Sequence, residues 1–191
     1  KFQDIYSPVL DPIDPETFYL GTRFEGIFRM KGNEITGKID WNNSLLILNW
    51  HCFVNGIAFD NNNNMWVQGL TKDKCQLMVL PADKLHKENL TAEDWIRPNM
   101  MLPANSCWRS LFAISKKHNI EVSNTATYYP TITVVADGGN PASELVRTKR
   151  FDAISDQNGL QFKASWHYEM REDSKGNMWL CTADGVLYFD P

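Results

Sequence analysis

The residues with the clearest capacity for chemistry form a run of one aspartate and four asparagines in the first half of the chain. Asp60-x-Asn62-x-Asn64 has the oxygen spacing of the first half of a calcium-binding loop. The sixth loop position lacks glycine, and Thr71 stands at the twelfth, where such loops use a bidentate glutamate. A second copy of the run carries Lys175 in its middle, where it would repel a cation. We therefore predict hairpin turns here rather than calcium sites.

Histidine and cysteine patterns do not complete a metal or catalytic motif. His167-x-Glu169 has the spacing of a zinc deaminase, but the P-C-x-x-C partner motif is absent from the sequence. His51 and Cys52 are adjacent, so on a strand they would point to opposite faces, although a catalytic Cys–His pair formed through space stays open. We predict no metal, no cofactor and no enzyme activity. The cysteines are expected to be buried structural thiols: Cys52, Cys75, Cys107 and Cys181.

Exposed aromatic rings are the remaining candidates for a binding site. Five of the seven tryptophans lie near predicted loops, at positions 41, 50, 95, 108 and 166. Indole rings can serve as platforms for sugars, and Trp41, Trp95 and Trp108 are the candidate platform. Packing between neighbouring sheets is the alternative, and the more common, use of such residues.

The composition limits the class of protein. The chain has 191 residues, 43% of them hydrophobic, and a net charge of −4. This charge argues against a nucleic-acid-binding surface, and the apolar runs are much shorter than the roughly 20 residues of a membrane span. These values predict one ordinary domain with a hydrophobic core.

An internal repeat predicts the elements that carry these residues. Residues 60–67 and 173–180 share Asp, Asn, Met and Trp in one register, which indicates a strand, a tight turn and a second strand. Residues 115–122 form a weaker copy with Glu121 in the Trp position, and Tyr19 occupies that position in an earlier copy. The structural positions of the repeat are Tyr19, Asp60, Asn64, Trp66, Asp173, Asn177 and Trp179.

The spacing of the repeat predicts a β-propeller segment. The steps between the Trp positions are 47 (66 − 19), 55 (121 − 66) and 58 (179 − 121) residues, near the roughly 40–50 of a four-stranded blade with its loops. The all-β chain is therefore divided into half a blade at 1–35 and whole blades at about 36–90, 91–145 and 146–191. Short helical turns are expected at 82–89 and 91–95. Because three and a half blades leave two open faces, we expect a piece of a larger propeller.

The repeat resembles the two-component-regulator propeller repeat of Bacteroidetes bacteria. The similarity is carried by REDSKGNMWLCTADGVLYFDP (171–191), FDNNNNMWV (59–67) and FYLGTRFEGIFRM (18–30). Residues 131–162 also resemble the surface propeller of the type IX secretion apparatus. Two positions depart from the pattern: Cys181 replaces the usual Gly, and Gln68-Gly69 replaces Gly-Thr.

This resemblance implies a non-catalytic, extracytoplasmic interaction module, in the periplasm or on the outer cell surface. One version is an assembly scaffold in a protein similar to the type IX secretion component. The other is a glycan-sensing domain of a hybrid two-component system; a propeller lyase or hydrolase is a weaker alternative. The implied partners are other blades of the same protein and a glycan or protein ligand. Self-association through the open faces is also expected.

Overall fold

The chain folds as a series of antiparallel sheets. The computed structural model describes residues 4–48, 50–70, 75–98, 110–115, 120–125, 131–136, 147–151, 154–162, 167–182 and 185–190. The first sheet contains β1 (Ile5–Leu10), β2 (Thr17–Thr22), β3 (Ile27–Lys31) and β4 (Glu34–Ile39). The second contains β5 (Val54–Phe59), β6 (Met65–Leu70) and β7 (Cys75–Leu80).

The second half of the chain repeats this arrangement. The third sheet contains β8 (Ser110–Ser115), β9 (Ile120–Thr125), β10 (Thr131–Ala136) and β11 (Arg147–Phe151). A small hairpin of β12 (Ile154–Ser155) and β13 (Gln161–Phe162) precedes the fourth sheet, which contains β14 (His167–Glu172), β15 (Met178–Thr182) and β16 (Gly185–Phe189). In every sheet, strands adjacent in sequence are paired.

The sheets stand side by side with their first strands together. Strand β5 contacts β1 and β8, and β8 in turn contacts β14. The described helical segments are two short 3₁₀ turns, Ala82–Lys84 and Ala92–Asp94. They confirm the expected turns, and Thr91 and Asp94 cap the second one reciprocally. Within the described ranges, no helix is long and apolar enough to cross a bilayer.

The first sheet differs from the predicted half blade, because four strands pair between Ile5 and Ile39. Gly32 and Asn33 connect β3 to β4, and Gly32 has a φ of 58°, a conformation that glycine adopts without steric cost. The sequence assigns residues from 36 onward to the next blade, whereas β4 is the outer strand of this sheet. Ile96, which bridges Val79, likewise extends the second sheet rather than opening the third. The assignment of 1–191 to one propeller domain stays a prediction.

The main core lies between the first and second sheets. Tyr19 and Ile27 from the first sheet pack with Met65 and Val67 from β6, and all four side chains are fully buried. Trp66 points to the other face of β6, where it packs in a second apolar cluster and is also fully buried. Alternate residues of β6 therefore pack in two different apolar clusters, one on each face of the second sheet.

Candidate functional site

The Asp-Asn run at 60–64 forms a closed hairpin loop between β5 and β6. Asp60 Oδ1 accepts hydrogen bonds from the backbone N–H groups of Asn62 and Asn64, both at 2.9 Å. Asp60 Oδ2 accepts one from Asn64 Nδ2 and one from Trp66 Nε1, also at 2.9 Å. Four N–H donors thus surround the carboxylate, an arrangement that suits a turn and opposes a cation. This geometry agrees with the predicted hairpin.

The same loop occurs between β14 and β15. Asp173 Oδ1 accepts the backbone N–H groups of Lys175 at 2.8 Å and Asn177 at 3.0 Å. Trp179 Nε1 donates to Asp173 Oδ2 at 2.9 Å. Donation by this indole N–H holds the pKa of Asp173 far below its ordinary value. The repeat positions predicted from the sequence therefore form one hydrogen-bonded unit.

A further copy, missed in the sequence, closes the small hairpin between β12 and β13. Asp156 Oδ1 accepts the backbone N–H groups of Asn158 and Leu160, both at 2.8 Å. These backbone hydrogen bonds, led by Leu160, lower the pKa of Asp156. Phe162 occupies the position of the tryptophan, which obscures the pattern, although Asp-x-Asn-Gly is a recognisable turn signal.

In the first sheet, Asp11 forms a longer version of the loop. Its Oδ1 accepts the backbone N–H groups of Ile13 at 2.8 Å and Asp14 at 3.0 Å. Tyr19, at the predicted repeat position, donates its phenolic O–H to Asp11 Oδ2 at 2.8 Å. Burial, followed by this bond to the carboxylate, raises the pKa of Tyr19 far above its ordinary value. The aromatic-to-aspartate bond is thus present with a phenol as well as with an indole.

The two repeat tryptophans share this bond to an aspartate but differ in the solvent exposure of their side chains. Trp66 is 0% exposed, whereas Trp179 is 43% exposed and contacts the Tyr188 ring edge-on, with centroids 4.8 Å apart. Met178 and Leu180, the neighbours of Trp179 on β15, are fully buried on the opposite face. The local loop is therefore the same in both sheets, and the burial of the indole depends on what packs against its face.

The weak middle copy has the predicted backbone arrangement. Ser115 ends β8 and pairs with Ile120 at the start of β9. Glu121 is second in β9, as Trp66 is second in β6. Ser115 Oγ donates to Glu172 Oε1 at 2.6 Å and so connects the third and fourth sheets. Residues 116–119 lie outside the described part of the chain.

The predicted tryptophan platform does not assemble as a unit. Trp95 is 6% exposed, belongs to the main core and donates Nε1 to Asn43 O at 3.1 Å, so it packs between sheets rather than facing a ligand. Trp41 is 36% exposed, with Lys38 Nζ 5.6 Å from its ring centre. Trp108 and Trp166 lie outside the described residues.

Another set of aromatic rings, two of them exposed and two half-buried, lies at one end of the first two sheets. We define the rim as Arg23, Phe24, Trp41, Trp50 and His51. Phe24 and His51 meet edge-to-face with ring centroids 4.6 Å apart, and the Arg23 guanidinium lies 5.2 Å from the Phe24 ring centre. These rings and the guanidinium form a mixed aromatic and cationic surface.

Backbone hydrogen bonds between the two sheets hold the rim in place. Cys52 N donates to Phe24 O at 3.1 Å, and Gly26 N donates to Cys52 O at 2.9 Å. Lys38 Nζ, which lies over the Trp41 ring, also approaches Glu25 Oε2 at 3.3 Å. The rim is therefore built on paired backbone rather than on a single long loop.

Trp50 is the most exposed aromatic residue of the rim. It is 92% exposed and has a φ of 64°, a left-handed conformation that costs a non-glycine residue roughly 1–2 kcal/mol. Such backbone strain at an exposed ring is a feature of functional surfaces. Trp50 is one of the tryptophans near predicted loops, but it is not part of the predicted platform.

The described cysteines have contrasting environments. Cys52 is buried in the main core, and burial, reinforced by the negative charge of Asp40, raises its thiol pKa to about 12. Cys181 is exposed, so the prediction that it is buried is wrong. It alternates with the buried Leu180, which takes the inward position on β15. Cys107 lies outside the described residues.

In the described ranges, no group of three His, Cys, Asp or Glu residues could hold a metal ion.

The sequence matches no protein-family model and no curated protein. Solved structures do match. PorZ, described as an essential bacterial surface component of the type-IX secretion system of Porphyromonas gingivalis, superposes with a TM-score of 0.72 at 19% identity. The superposition covers 97% of this chain and 24% of PorZ.

Two extracellular domains from B. thetaiotaomicron also match. That of the hybrid two-component system BT3049 has a TM-score of 0.60 at 16% identity and covers 98% of this chain and 22% of that one. That of BT4673 has a TM-score of 0.58 at 12% identity, covering 98% and 27%. The chain thus spans about a quarter of each matched chain. The predicted β-propeller fold is confirmed, and both groups of proteins named by the sequence resemblance are among the matches.

Proposed function

We propose that this chain belongs to an extracytoplasmic β-propeller that acts as a non-catalytic interaction module. The observation that carries the proposal is the superposition on a bacterial surface component over 97% of the chain. Two extracellular domains, which match at lower TM-scores, also support a location outside the cytoplasm. The net charge of −4 argues against nucleic acid as the partner.

Within this module, we place ligand or partner contact at the rim. Trp50 offers an almost fully exposed indole, and Trp41 offers a second, partly exposed one. The Arg23 guanidinium, which also pairs with Asp4 Oδ2 at 3.5 Å, adds a cation beside the rings. A glycan or a protein loop could use this combination of ring faces and a cation.

The scaffold role is the first version of the proposal, and ligand sensing is the second. The higher TM-score with the secretion component, 0.72 against 0.60, supports the scaffold. The sensor version rests on the match to the two-component extracellular domains. Deleting the propeller from its parent gene separates them, because loss of a scaffold impairs protein export and loss of a sensor changes transcription.

Location is tested by labelling intact cells with a membrane-impermeant amine reagent. Modification of propeller lysines in intact cells is expected for a surface location, and modification only after outer-membrane permeabilisation for a periplasmic one. Labelling that requires lysis of the inner membrane would contradict the proposal.

Binding is tested with a glycan panel and with the exported proteins of the same organism. We expect Trp50→Ala to weaken binding at least tenfold and Trp41→Ala to have a smaller effect, consistent with their exposures. Tyr188→Ala is the matched control, since Tyr188 is an exposed ring on the fourth sheet, away from the rim. Equal effects of all three substitutions would remove the rim from the proposal. Turnover of any glycan in the panel would contradict the non-catalytic assignment.

A further inference from the structure

The small hairpin of β12 and β13 carries an exposed Asn-Gly pair in its turn. Residues 155–161 are all exposed, so water reaches Asn158 and Gly159. Gly159 has a φ of 81°, and the place where a Cβ would stand has no atom within 4 Å apart from its chain neighbours. Because glycine has no side chain, its backbone nitrogen is sterically open to the asparagine side chain that precedes it.

Two other aspartate loops share the backbone of this turn but not its sequence. In each of the three loops, the backbone N–H of the third residue donates to the aspartate carboxylate, and the fourth residue has a positive φ. The N–H of that fourth residue donates to the backbone oxygen of the aspartate at 3.0 Å in all three. The third and fourth residues are Asn62-Asn63, Asn158-Gly159 and Lys175-Gly176. Of these three loops, only the Asp156 loop has asparagine followed by glycine.

The hairpin that holds this pair is short. Strands β12 and β13 pair over two residues each, and among the described strands no third one joins them. An isolated two-stranded hairpin is at best marginally stable in water. This hairpin should therefore open more often than the six-residue strands on either side of the Asp60 loop, and opening releases the Gly159 N–H from Asp156 O.

We propose that Asn158 is a site of spontaneous covalent modification, at which the Asn158-Gly159 pair deamidates in the folded chain. Asparagine is one of the thermolabile residues of proteins. The Gly159 nitrogen attacks Asn158 Cγ, the new N–Cγ bond closes a succinimide ring, and Nδ2 leaves with the Gly159 proton as ammonia. Water then adds to either ring carbonyl and opens the ring. The products are an aspartate or an isoaspartate at position 158, and the only reactant consumed is water.

Deamidation removes a hydrogen-bond donor from the turn and adds a negative charge. Asn158 Nδ2 donates to Asp156 Oδ2 at 3.4 Å, and the backbone N–H of Leu160 donates to Oδ1 at 2.8 Å. A carboxylate at position 158 replaces the amide donor and repels the Asp156 carboxylate. An isoaspartate also adds one carbon atom to the backbone, which displaces the Leu160 N–H. Both products therefore weaken the loop.

The site is tested by incubating the purified folded chain at pH 8 in water enriched in oxygen-18 and mapping its peptides by mass spectrometry. Ring opening takes up one oxygen atom from water, so the heavy label marks deamidation that occurs during the incubation. Two internal controls are available. Asn62-Asn63 has the same turn with a different following residue, and Asn55-Gly56 has the same dipeptide in β5, where Gly56 is buried and pairs with Gln68. We expect label at Asn158 at least about tenfold faster than at either control, because an exposed loop opens more often than a packed strand.

A variant and a denaturant separate the chemistry of the dipeptide from the fold. Asn158→Gln keeps a side-chain amide but closes the corresponding ring much more slowly, so labelling at this position should fall to the level of Asn62. Asn62→Gln is the matched control and should leave labelling of Asn158 unchanged. In urea, Asn55 should become labelled as well, since the fold no longer protects it. Labelling of Asn158 no faster than that of Asn55 in the folded chain would overturn the proposal, as would an unchanged rate in Asn158→Gln.

Discussion

The sharpest test of the fold compares Trp66→Phe with Trp179→Phe. Both substitutions remove an indole N–H that donates to an aspartate at 2.9 Å. Trp66 and its partner Asp60 are buried, so loss of a hydrogen bond to this charged group costs about 1.5–3 kcal/mol. The smaller ring also leaves roughly 40 Å³ unfilled, which adds about 1 kcal/mol. Trp179 is 43% exposed, so water can replace both the ring atoms and the donor.

Urea unfolding measures this difference. With a slope of about 2 kcal/mol/M, Trp66→Phe should lower the midpoint by roughly 1–2 M. Trp179→Phe should lower it by less than a third of that amount. Trp41→Phe, at an exposed rim position, is the control and should have little effect. Equal midpoints for the Trp66 and Trp179 variants would refute the assignment of Trp66 to a fully buried apolar cluster.

Three further predictions concern single groups. Trp179→Phe should raise the pKa of Asp173 from its depressed value. As the pH falls, the variant should therefore lose the stability contributed by this carboxylate at a higher pH than the wild type does, and a carbon-13 titration of the side chain measures the pKa. Peptide mapping after maleimide treatment at pH 7.5 should find Cys181 labelled in the folded chain and Cys52 labelled only after unfolding. Equal labelling rates for the two cysteines would contradict the burial of Cys52. Asn63 has a φ of 62°, a left-handed conformation that glycine adopts more easily than alanine does. In urea unfolding, Asn63→Gly should be neutral or stabilise the fold by up to about 1 kcal/mol, and Asn63→Ala should destabilise it by about 1 kcal/mol.

The sequence predicted those features that depend on neighbouring residues. The Asp60 and Asp173 loops close within seven residues, so one Asp, one Asn and one Trp in register are enough to identify them. The hairpin from Ser115 to Ile120 was also identified correctly, although Glu121 replaces the tryptophan.

Features that depend on distant contacts, or that depart from the spacing of the repeat, were not predictable in the same way. Trp95 stands beside a loop in sequence, but it is buried in the main core and donates to the backbone oxygen of Asn43, 52 residues away. The Asp11 loop was missed because eight residues, rather than six, separate the aspartate from its aromatic partner, Tyr19. Strand β4 was assigned to the wrong sheet, although Gly32 and Asn33 carry a hairpin signal. Loops that keep both the Trp and its spacing from the Asp were therefore predictable from the sequence, whereas altered copies of the loop and the packing of one sheet on another were not.

The pairing of each strand with its neighbour in sequence has a consequence for how the chain folds. A meander brings together segments separated by only a few residues, so little chain entropy is lost before its contacts form. Each sheet can then begin to form within its own segment and be stabilised by the next one to dock. We expect an energetic defect in one sheet to spread mainly to its immediate neighbours, as in other linear repeat proteins. In this linear series of described sheets, the first and the fourth stand at the ends and should fray first.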